Sequence, residues 1–377
     1  MDKKDKALLL LTLDAFKTRG GVQSVSKTLC YTLRSIVKQY FGHSLKVLSL
    51  YDKEPDNRYI DHKSFKGFSK NKLYFLFYAI KYGCRSDKVI LTHIHLLFIA
   101  KLIKLLNKRV EIILIAHGVE VWRKLHPWKV RFIQQDILIL AVSNFTKFIL
   151  HKQHHICKTK IIVLNNCLDP LFKVPGTFAK SSRLLTKHGL SKDQPVILSI
   201  CRLTPHENDK GYQLIISIIP ELLNEFPDLH YLLCGRADSD EKQYLQKLIA
   251  EKRLQKHVSM VDLIPENELT DYYLLSDVFA LPSKKEGFGL VFIEAAACGC
   301  QILAGNADGS SDAVLNGKLG KLIDPEDKKE IIAALSNCLR QKRNVKNALQ
   351  IQRTCLEHFG QSRYQEKVKH LLNNIRH

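Results

Sequence analysis

Short apolar runs alternate along the chain with stretches in which apolar residues recur every three or four positions, the pattern of parallel strands joined by amphipathic helices. In the front half the pattern predicts strands at Ala7–Leu13, Leu45–Leu50, Lys88–Thr92, Val110–Ala116, Ile139–Val142 and Lys160–Leu164. In the back half it predicts Val196–Ile200, His230–Cys234, Val258–Val261, Val278–Ala280 and Gln301–Ala304. Each set supports its own sheet. Between them, Asn165 to Pro195 carries Asp169-Pro170, Pro175-Gly176 and a polar stretch, the composition of an interdomain connection. The expected architecture is therefore α/β, with two doubly wound domains, 1–172 and 173–377, facing each other across a cleft. A basic amphipathic helix at about 361–375 is expected to pack back on the first domain. In such sheets ligands sit at the carboxyl ends of strands, so chemistry is sought where predicted strands end.

Four strand ends stand out. The first leads into Thr18-Arg19-Gly20-Gly21-Val22 and then a helical pattern at Val25, Leu29, Leu33, Ile36 and Val37. Gly20-Gly21 either lets the backbone approach an anion at a helix N-terminus or is a plain strand-to-helix turn. The fourth strand ends in Ala116-His117-Gly118, where His117 either points into the cleft or is satisfied by a neighbouring backbone group. In the back half, Val196–Ile200 runs into Cys201-Arg202-Leu203 and then Asp209-Lys210-Gly211, opening a helix. Arg202 and Lys210 can meet over one anion, as a pyrophosphate requires, or Lys210 can form a surface ion pair with Glu207 or Asp209. The most informative segment is Ser276 to Gly299: a strand, then Lys284-Lys285-Glu286-Gly287-Phe288-Gly289, then a helix at Leu290–Cys298 with Gly299 as its C-cap. The glycines expose N–H groups at a helix start. Glu286 and Glu294 can face one ligand, and paired carboxylates suit the hydroxyls of a sugar or ribose.

Charge separates the two halves. Residues 1–170 hold 30 basic and 12 acidic side chains, and 171–377 hold 28 and 25, so the front half is +18 and the back half +3. A front half this basic seeks a polyanion: anionic lipid headgroups, phosphorylated substrates or nucleic acid. Its lysines are scattered, without zinc-finger spacing or an aromatic RNA-binding signature, which leaves nucleic acid the weakest of the three. The ten cysteines occur without C-x-x-C pairs and read as reduced, mostly buried thiols of a cytosolic protein. Two groups could suggest a metal, His93 with His95, and His151, His154, His155 with Cys157. Neither has a matching second half, so both read as ordinary strand-end or surface histidines. Met1–Lys6 with Ala7–Leu13 imitates a secretory signal, yet the apolar run ends at Asp14 without a small-residue cleavage site and reads as a buried strand. No run approaches the ~20 apolar residues that span a bilayer, so a soluble or peripheral protein is expected.

Glu286-x7-Glu294 with its Gly-Phe-Gly resembles the E-x7-E motif of the retaining GT-B glycosyltransferases of family four. The resemblance extends over Gly20-Gly21, His117-Gly118, Val142-Ser143 with Thr146, Asn165 to Phe172, Arg202 to Gly211, Pro282 to Gly299 and Gly305 to Ser310. It implies two Rossmann-like domains, with the first binding the acceptor and the second a nucleotide diphosphate sugar. The sugar, a hexose from a donor of GDP-mannose or UDP-glucose type, would pass to an acceptor hydroxyl with retention and without a bound metal or other cofactor. Carried over residue by residue, it assigns Arg202 and Lys210 to the diphosphate, Gly287, Phe288, Gly289 and Leu290 to phosphate and sugar, Glu294 to the ribose and Glu286 to the transferred sugar. His117 would contact that sugar near the reaction centre, with Gly20-Gly21 close to phosphate or acceptor. The chain departs from the family at Cys201, at Gly299-Cys300-Gln301 and at Asp262, the last putting the nucleobase in question. With the basic front half, the expected protein is cytoplasmic and peripheral on an anionic membrane, extending a lipid-linked saccharide in surface polysaccharide assembly. The rivals are a noncatalytic nucleic-acid-binding protein of the same fold and an epimerase acting on a nucleotide sugar.

Overall fold

The computed structural model describes residues 7–38 and 44–374, so Met1–Lys6 and Ile375 of the expected last helix lie outside the described residues. The chain divides into two compact units, one of residues 1–170 with 359–377 and the other of 171–358.

The first unit is built on a seven-stranded parallel sheet of order β3-β2-β1-β4-β5-β6-β7. Its strands are β1 (Ala7–Thr12), β2 (Ser44–Ser49), β3 (Phe65–Gly67), β4 (Lys88–Leu91), β5 (Glu111–Ala116), β6 (Ile137–Ala141) and β7 (Ile161–Val163). The second has six parallel strands in the order β10-β9-β8-β11-β12-β13. These are β8 (Val196–Ile200), β9 (His230–Cys234), β10 (Val258–Val261), β11 (Val278–Leu281), β12 (Gln301–Gly305) and β13 (Lys321–Ile323). Apolar runs such as Leu8 to Leu11 form central strands because helices cover both faces and bury all four of these side chains. Two edge strands, β3 and β13, were absent from the sequence expectation. Each is three residues long, and Phe65-Lys66-Gly67 and Lys321-Leu322-Ile323 carry a lysine where a longer strand would show its apolar run. The helix Gln361–Asn374 packs on the helix Gly21–Ile36 of the first unit, where Gln361 donates to the Thr32 hydroxyl at 2.7 Å.

Both sheets share one topological property. Strand order reverses between β1 and β4 in the first unit and between β8 and β11 in the second. Connections leave such a pair in opposite directions and open a crevice at the strands' carboxyl ends. The residues singled out from the sequence fall on these ends.

Candidate functional site

In the second unit the crevice is bounded by the loops that follow β8 and β11. They are tied together: the Lys284 amide donates to the Asp209 carbonyl at 2.7 Å, and the Lys285 ammonium pairs with the Asp209 carboxylate at 2.6 Å. Between them Lys210 pairs with Glu286, both side chains mostly buried at 15% and 20% exposure. Lys210 therefore meets a carboxylate from the other loop. The Glu207 side chain lies outside the described ones. Arg202 is exposed at the start of the β8 loop.

Directly after Glu286, the loop turns into the helix Leu290–Ala297 through Gly289, whose φ of +87° suits glycine. No side chain caps this helix and its first turn carries no acidic residue, so its first N–H groups are presented to the crevice loop. The helices starting after Asn71, Ser143 and Asp327 each have a side-chain cap instead. Ser143 and Thr146, part of the sequence resemblance, thus serve that local cap. At the far end, Cys298 is the C-cap, and Gly299 follows it with φ +66°, its N–H bonding the Ala296 carbonyl at 2.9 Å. This places the helix end one residue earlier than expected.

The loop owes its shape to Asp308, which is 2% exposed. Its carboxylate accepts from the Ser283 hydroxyl at 2.8 Å, the Glu286 amide at 2.6 Å and the Ser310 amide at 2.9 Å. Burial raises this carboxyl above its ordinary value, while the bonds from Ser310, Glu286 and Ser283 pull it down. The Gly309 amide closes the ring by donating to the Glu286 carbonyl at 2.8 Å. A Cβ at Gly309 would lie 2.1 Å from the Gly287 carbonyl oxygen, so only glycine lets the two loops approach this closely. The Phe288 ring is buried, and its backbone lines the turn.

Glu294 stands two turns beyond Glu286 and accepts from the Tyr273 hydroxyl at 2.8 Å. In a helix stretch otherwise made of Ala295, Ala296 and Ala297, Glu294 thus has a structural partner of its own. Tyr273 is fully buried; burial first, and then the Glu294 charge, push its phenol well above the ordinary value. It stays a neutral donor that orients one carboxylate oxygen.

In the first unit the loop from Asp14 to Gly20 is held by two buried carboxylates that sequence reasoning did not single out. Asp52 accepts the amides of Ala15 at 2.8 Å, Phe16 at 3.1 Å and Lys17 at 2.7 Å, together with the Ser49 hydroxyl at 2.6 Å. Asp14 accepts the Thr18 hydroxyl and, at 3.1 Å, the Lys17 amide. The helix beginning at Gly21 has no side-chain cap, and a Cβ at Gly21 would meet nothing within 4 Å. His117 ends β5 with its Nε2 2.8 Å from the Thr92 carbonyl. A carbonyl only accepts, so Nε2 carries a proton and Nδ1 is the atom left for other chemistry. The backbone-satisfied alternative for this histidine is realised at one nitrogen.

Among the described residues no group of three or more His, Cys, Asp or Glu side chains is placed to hold a metal ion. His154 Nε2 bonds the Val121 carbonyl at 2.9 Å and His151 Nδ1 the Ile156 carbonyl at 3.0 Å. The ten cysteines are free thiols, six of them buried. Asp262 is exposed and accepts from the neighbouring Leu263 amide at 2.8 Å.

Residues 181–353 match the family described as Glycosyl transferases group 1. The match lies within the second unit. The matched stretch contains Arg202, Lys210, Glu286 to Leu290 and Glu294. Over 171 residues the chain is 32% identical to a GDP-mannose-dependent alpha-(1-6)-phosphatidylinositol monomannoside mannosyltransferase of Mycolicibacterium smegmatis, covering 44% of this chain and 43% of that one. Over 172 residues it is 31% identical to a D-inositol 3-phosphate glycosyltransferase of Corynebacterium efficiens, covering 45% and 40%. The chain thus spans about two-fifths of the length of the curated relatives it matches. Among solved structures, Anabaena Alr3699/HepE in complex with UDP superimposes with a TM-score of 0.77 at 20% identity over 98% of this chain and 100% of that one. A glycosyltransferase from Rickettsia africae ESF-5 gives 0.77 at 19% identity over 99% and 100%. This likeness shows the fold, two Rossmann-like domains of the GT-B class.

Proposed function

We propose that the protein is a retaining hexosyltransferase that moves a sugar from a nucleotide diphosphate donor to a hydroxyl of a lipid-linked saccharide. The observation that carries this reading is the Lys210–Glu286 pair beside an uncapped helix start, at the strand-order reversal of the unit that carries the group 1 glycosyl transferase match. Cleaving a sugar–phosphate bond builds negative charge on the departing diphosphate and positive charge on the ring. Arg202, Lys210 and the N–H groups from Gly287 to Leu290 stabilise the first, a task that a metal ion performs elsewhere. In the unliganded protein Glu286 neutralises Lys210. A donor diphosphate takes over the ammonium, and the released carboxylate accepts hydroxyls of the transferred sugar. Glu294, oriented by Tyr273, takes the ribose. Attack from the face that the diphosphate leaves, with a phosphate oxygen accepting the acceptor proton, retains configuration without an enzymic base. Within the first unit, His117 Nδ1 is the ring nitrogen open to a sugar hydroxyl. A donor of GDP-mannose or UDP-glucose type agrees with what the relative's and the neighbour's names say of those proteins.

Calorimetry with UDP and GDP, followed by a nucleotide-sugar panel assayed for donor hydrolysis, tests this reading; binding of neither nucleotide overturns it. Glu294→Ala should weaken nucleotide binding about tenfold or more, the loss of charge-assisted bonds to the ribose. Unchanged nucleotide affinity would remove the ribose role.

The acceptor reading rests on the first unit's surface. The helix Lys72–Gly83 exposes Leu73, Tyr74 and Phe77, and the helix Leu97–Leu106 exposes Phe98, Leu105 and Leu106. These two helices pack on each other, and Lys70, Lys72, Lys101 and Lys108 flank them. Apolar tips among lysines suit an anionic bilayer surface on its cytoplasmic side, where each nearby cation contributes about 1 kcal/mol. Among the described residues no helix is long and apolar enough to cross a membrane. Leu73→Ser with Phe77→Ser should lower co-sedimentation with phosphatidylglycerol vesicles at least about tenfold, given about 1.5–3 kcal/mol for each large apolar side chain withdrawn. Co-sedimentation indifferent to this change, to anionic lipid content and to salt would exclude the membrane surface as partner.

A further inference from the structure

The loop between β8 and the helix Tyr212–Leu222 carries Arg202 at its start and Lys210 near its end, and a segment outside the donor site holds it. Its near end is paired with the chain that follows β9: the Leu203 amide donates to the Arg236 carbonyl at 3.1 Å, and the Leu203 carbonyl accepts the Asp238 amide at 3.0 Å. That chain runs directly into the helix Ser239–Glu251, whose first turn contains Glu241. Glu241 is buried, and its Oε1 accepts both the Tyr212 hydroxyl at 2.8 Å and the Gln213 side-chain amide at 2.7 Å. These two donors come immediately after Lys210-Gly211. One short segment after β9 therefore grips the loop at both ends.

The grip is directional. Tyr212 is fully buried and its hydroxyl has one proton, which goes to Glu241 at 2.8 Å in preference to the Thr204 carbonyl at 3.4 Å. Burial first, and then the bond to Glu241, push this phenol well above its ordinary value, so Tyr212 stays the donor. The residue between Lys210 and Tyr212 is equally constrained. Gly211 has φ +81°, and a Cβ there would lie 2.4 Å from the Pro282 carbonyl oxygen in the loop that follows β11. The main chain at Lys210 is thus fixed between Glu241 and the β11 loop, with its ammonium on Glu286. A phenol and a carboxamide are both neutral, and holding a buried carboxylate on neutral donors costs stability that a well-packed apolar side chain would not. Such a departure is expected where position is worth more than stability.

We propose that Glu241 is a positioning residue for sugar transfer: through Tyr212 and Gln213 it fixes the main chain that carries Lys210, and so sets the ammonium where the donor diphosphate arrives. Glu241 reaches the reaction only through Lys210, so the inference rests on the proposed reading of Lys210 as a diphosphate ligand. A fixed cation that is displaced by a fraction of its contact distance loses much of its worth to an arriving anion.

The test is a double-mutant cycle on the full chain, read by calorimetry with whichever of UDP and GDP the wild type binds. Glu241→Ala should weaken nucleotide binding about tenfold. The same change made on Lys210→Ala with Glu286→Gln should weaken it no more than about twofold, since the cation it positions is gone. Glu241→Gln keeps a carbonyl acceptor for Tyr212 and should stay within about threefold of the wild type. Tyr212→Phe keeps the buried ring and removes one bond; it should show the same dependence on Lys210, and it decides the matter if Glu241→Ala does not fold. A loss equal with and without Lys210 would overturn the proposal, as would a folded Glu241→Ala that melts earlier with nucleotide affinity unaltered; either leaves Glu241 a brace of the fold. A wild type that binds neither nucleotide fails the donor reading, and this inference with it, before any variant is made. A wild type that binds, with a cycle that shows no coupling, fails this inference alone.

Discussion

Lys210→Ala should lower kcat/KM for sugar transfer roughly 100- to 1000-fold, the size of effect found when one fixed donor to a developing anion is removed. The loss has two parts that can be separated. Lys210 no longer stabilises the leaving diphosphate, and Glu286, deprived of its partner, stands as an uncompensated carboxylate where phosphate must enter. Two like charges about 4 Å apart at an effective dielectric constant near 20 repel by about 4 kcal/mol. Nucleotide binding should therefore fall more in Lys210→Ala than in Lys210→Ala combined with Glu286→Gln, while transfer stays lost in both. Stability should move little. The pair is part-exposed, and truncation lets water reach the remaining partner, so a change of no more than about 1–2 kcal/mol is expected. Calorimetry with UDP or GDP and thermal melts on the two single variants and the double variant complete the cycle. A steep fall in melting temperature, with nucleotide affinity unaltered in the folded variant, would make the pair a structural clasp and withdraw it from catalysis.

The pair also shows how far the sequence carries the reading. Lys210 and Glu286 lie 76 positions apart, and each was legible separately, as a cation opening one helix and a carboxylate before another. That they neutralise each other was not, because it depends on β8 and β11 being neighbours, a matter of strand order and not of local pattern. Long apolar strands were legible because burial on both faces leaves an uninterrupted run, as at Leu8 to Leu11. Three-residue β3 and β13 leave no such run. The supporting side chains were harder still. Asp52 and Tyr273 act on residues far along the chain, and nothing at their own positions marks them: an aspartate after a strand and a tyrosine in a helix fit any surface or core.

Asp308→Ala should destabilise the second unit by about 3 kcal/mol or more and abolish transfer, although Asp308 has no role in the chemistry itself. The change leaves the Ser283 hydroxyl and the Glu286 and Ser310 amides without their acceptor in a site that is 2% exposed. For a unit of this size such a loss lowers the melting temperature by roughly 6–12 °C. Asp308→Asn keeps the shape and one acceptor oxygen, so it should lose less stability, while its NH2 group faces an amide donor and loosens Glu286. The pH dependence then distinguishes carboxylate from amide. Burial holds the folded-state carboxyl above its ordinary 3.8, so the folded protein binds the proton more tightly than the unfolded chain does. The stabilisation linked to that proton is complete below the unfolded value and is lost as pH rises through the raised folded value. Asp308→Asn has no such proton, so the melting-temperature advantage of the wild type over it should widen as pH falls from neutrality toward 4. An advantage that stays constant or narrows over that range would mean that the carboxylate is stabilised in its charged form, and that the hydrogen bonds from Ser283, Glu286 and Ser310 outweigh the cost of burial.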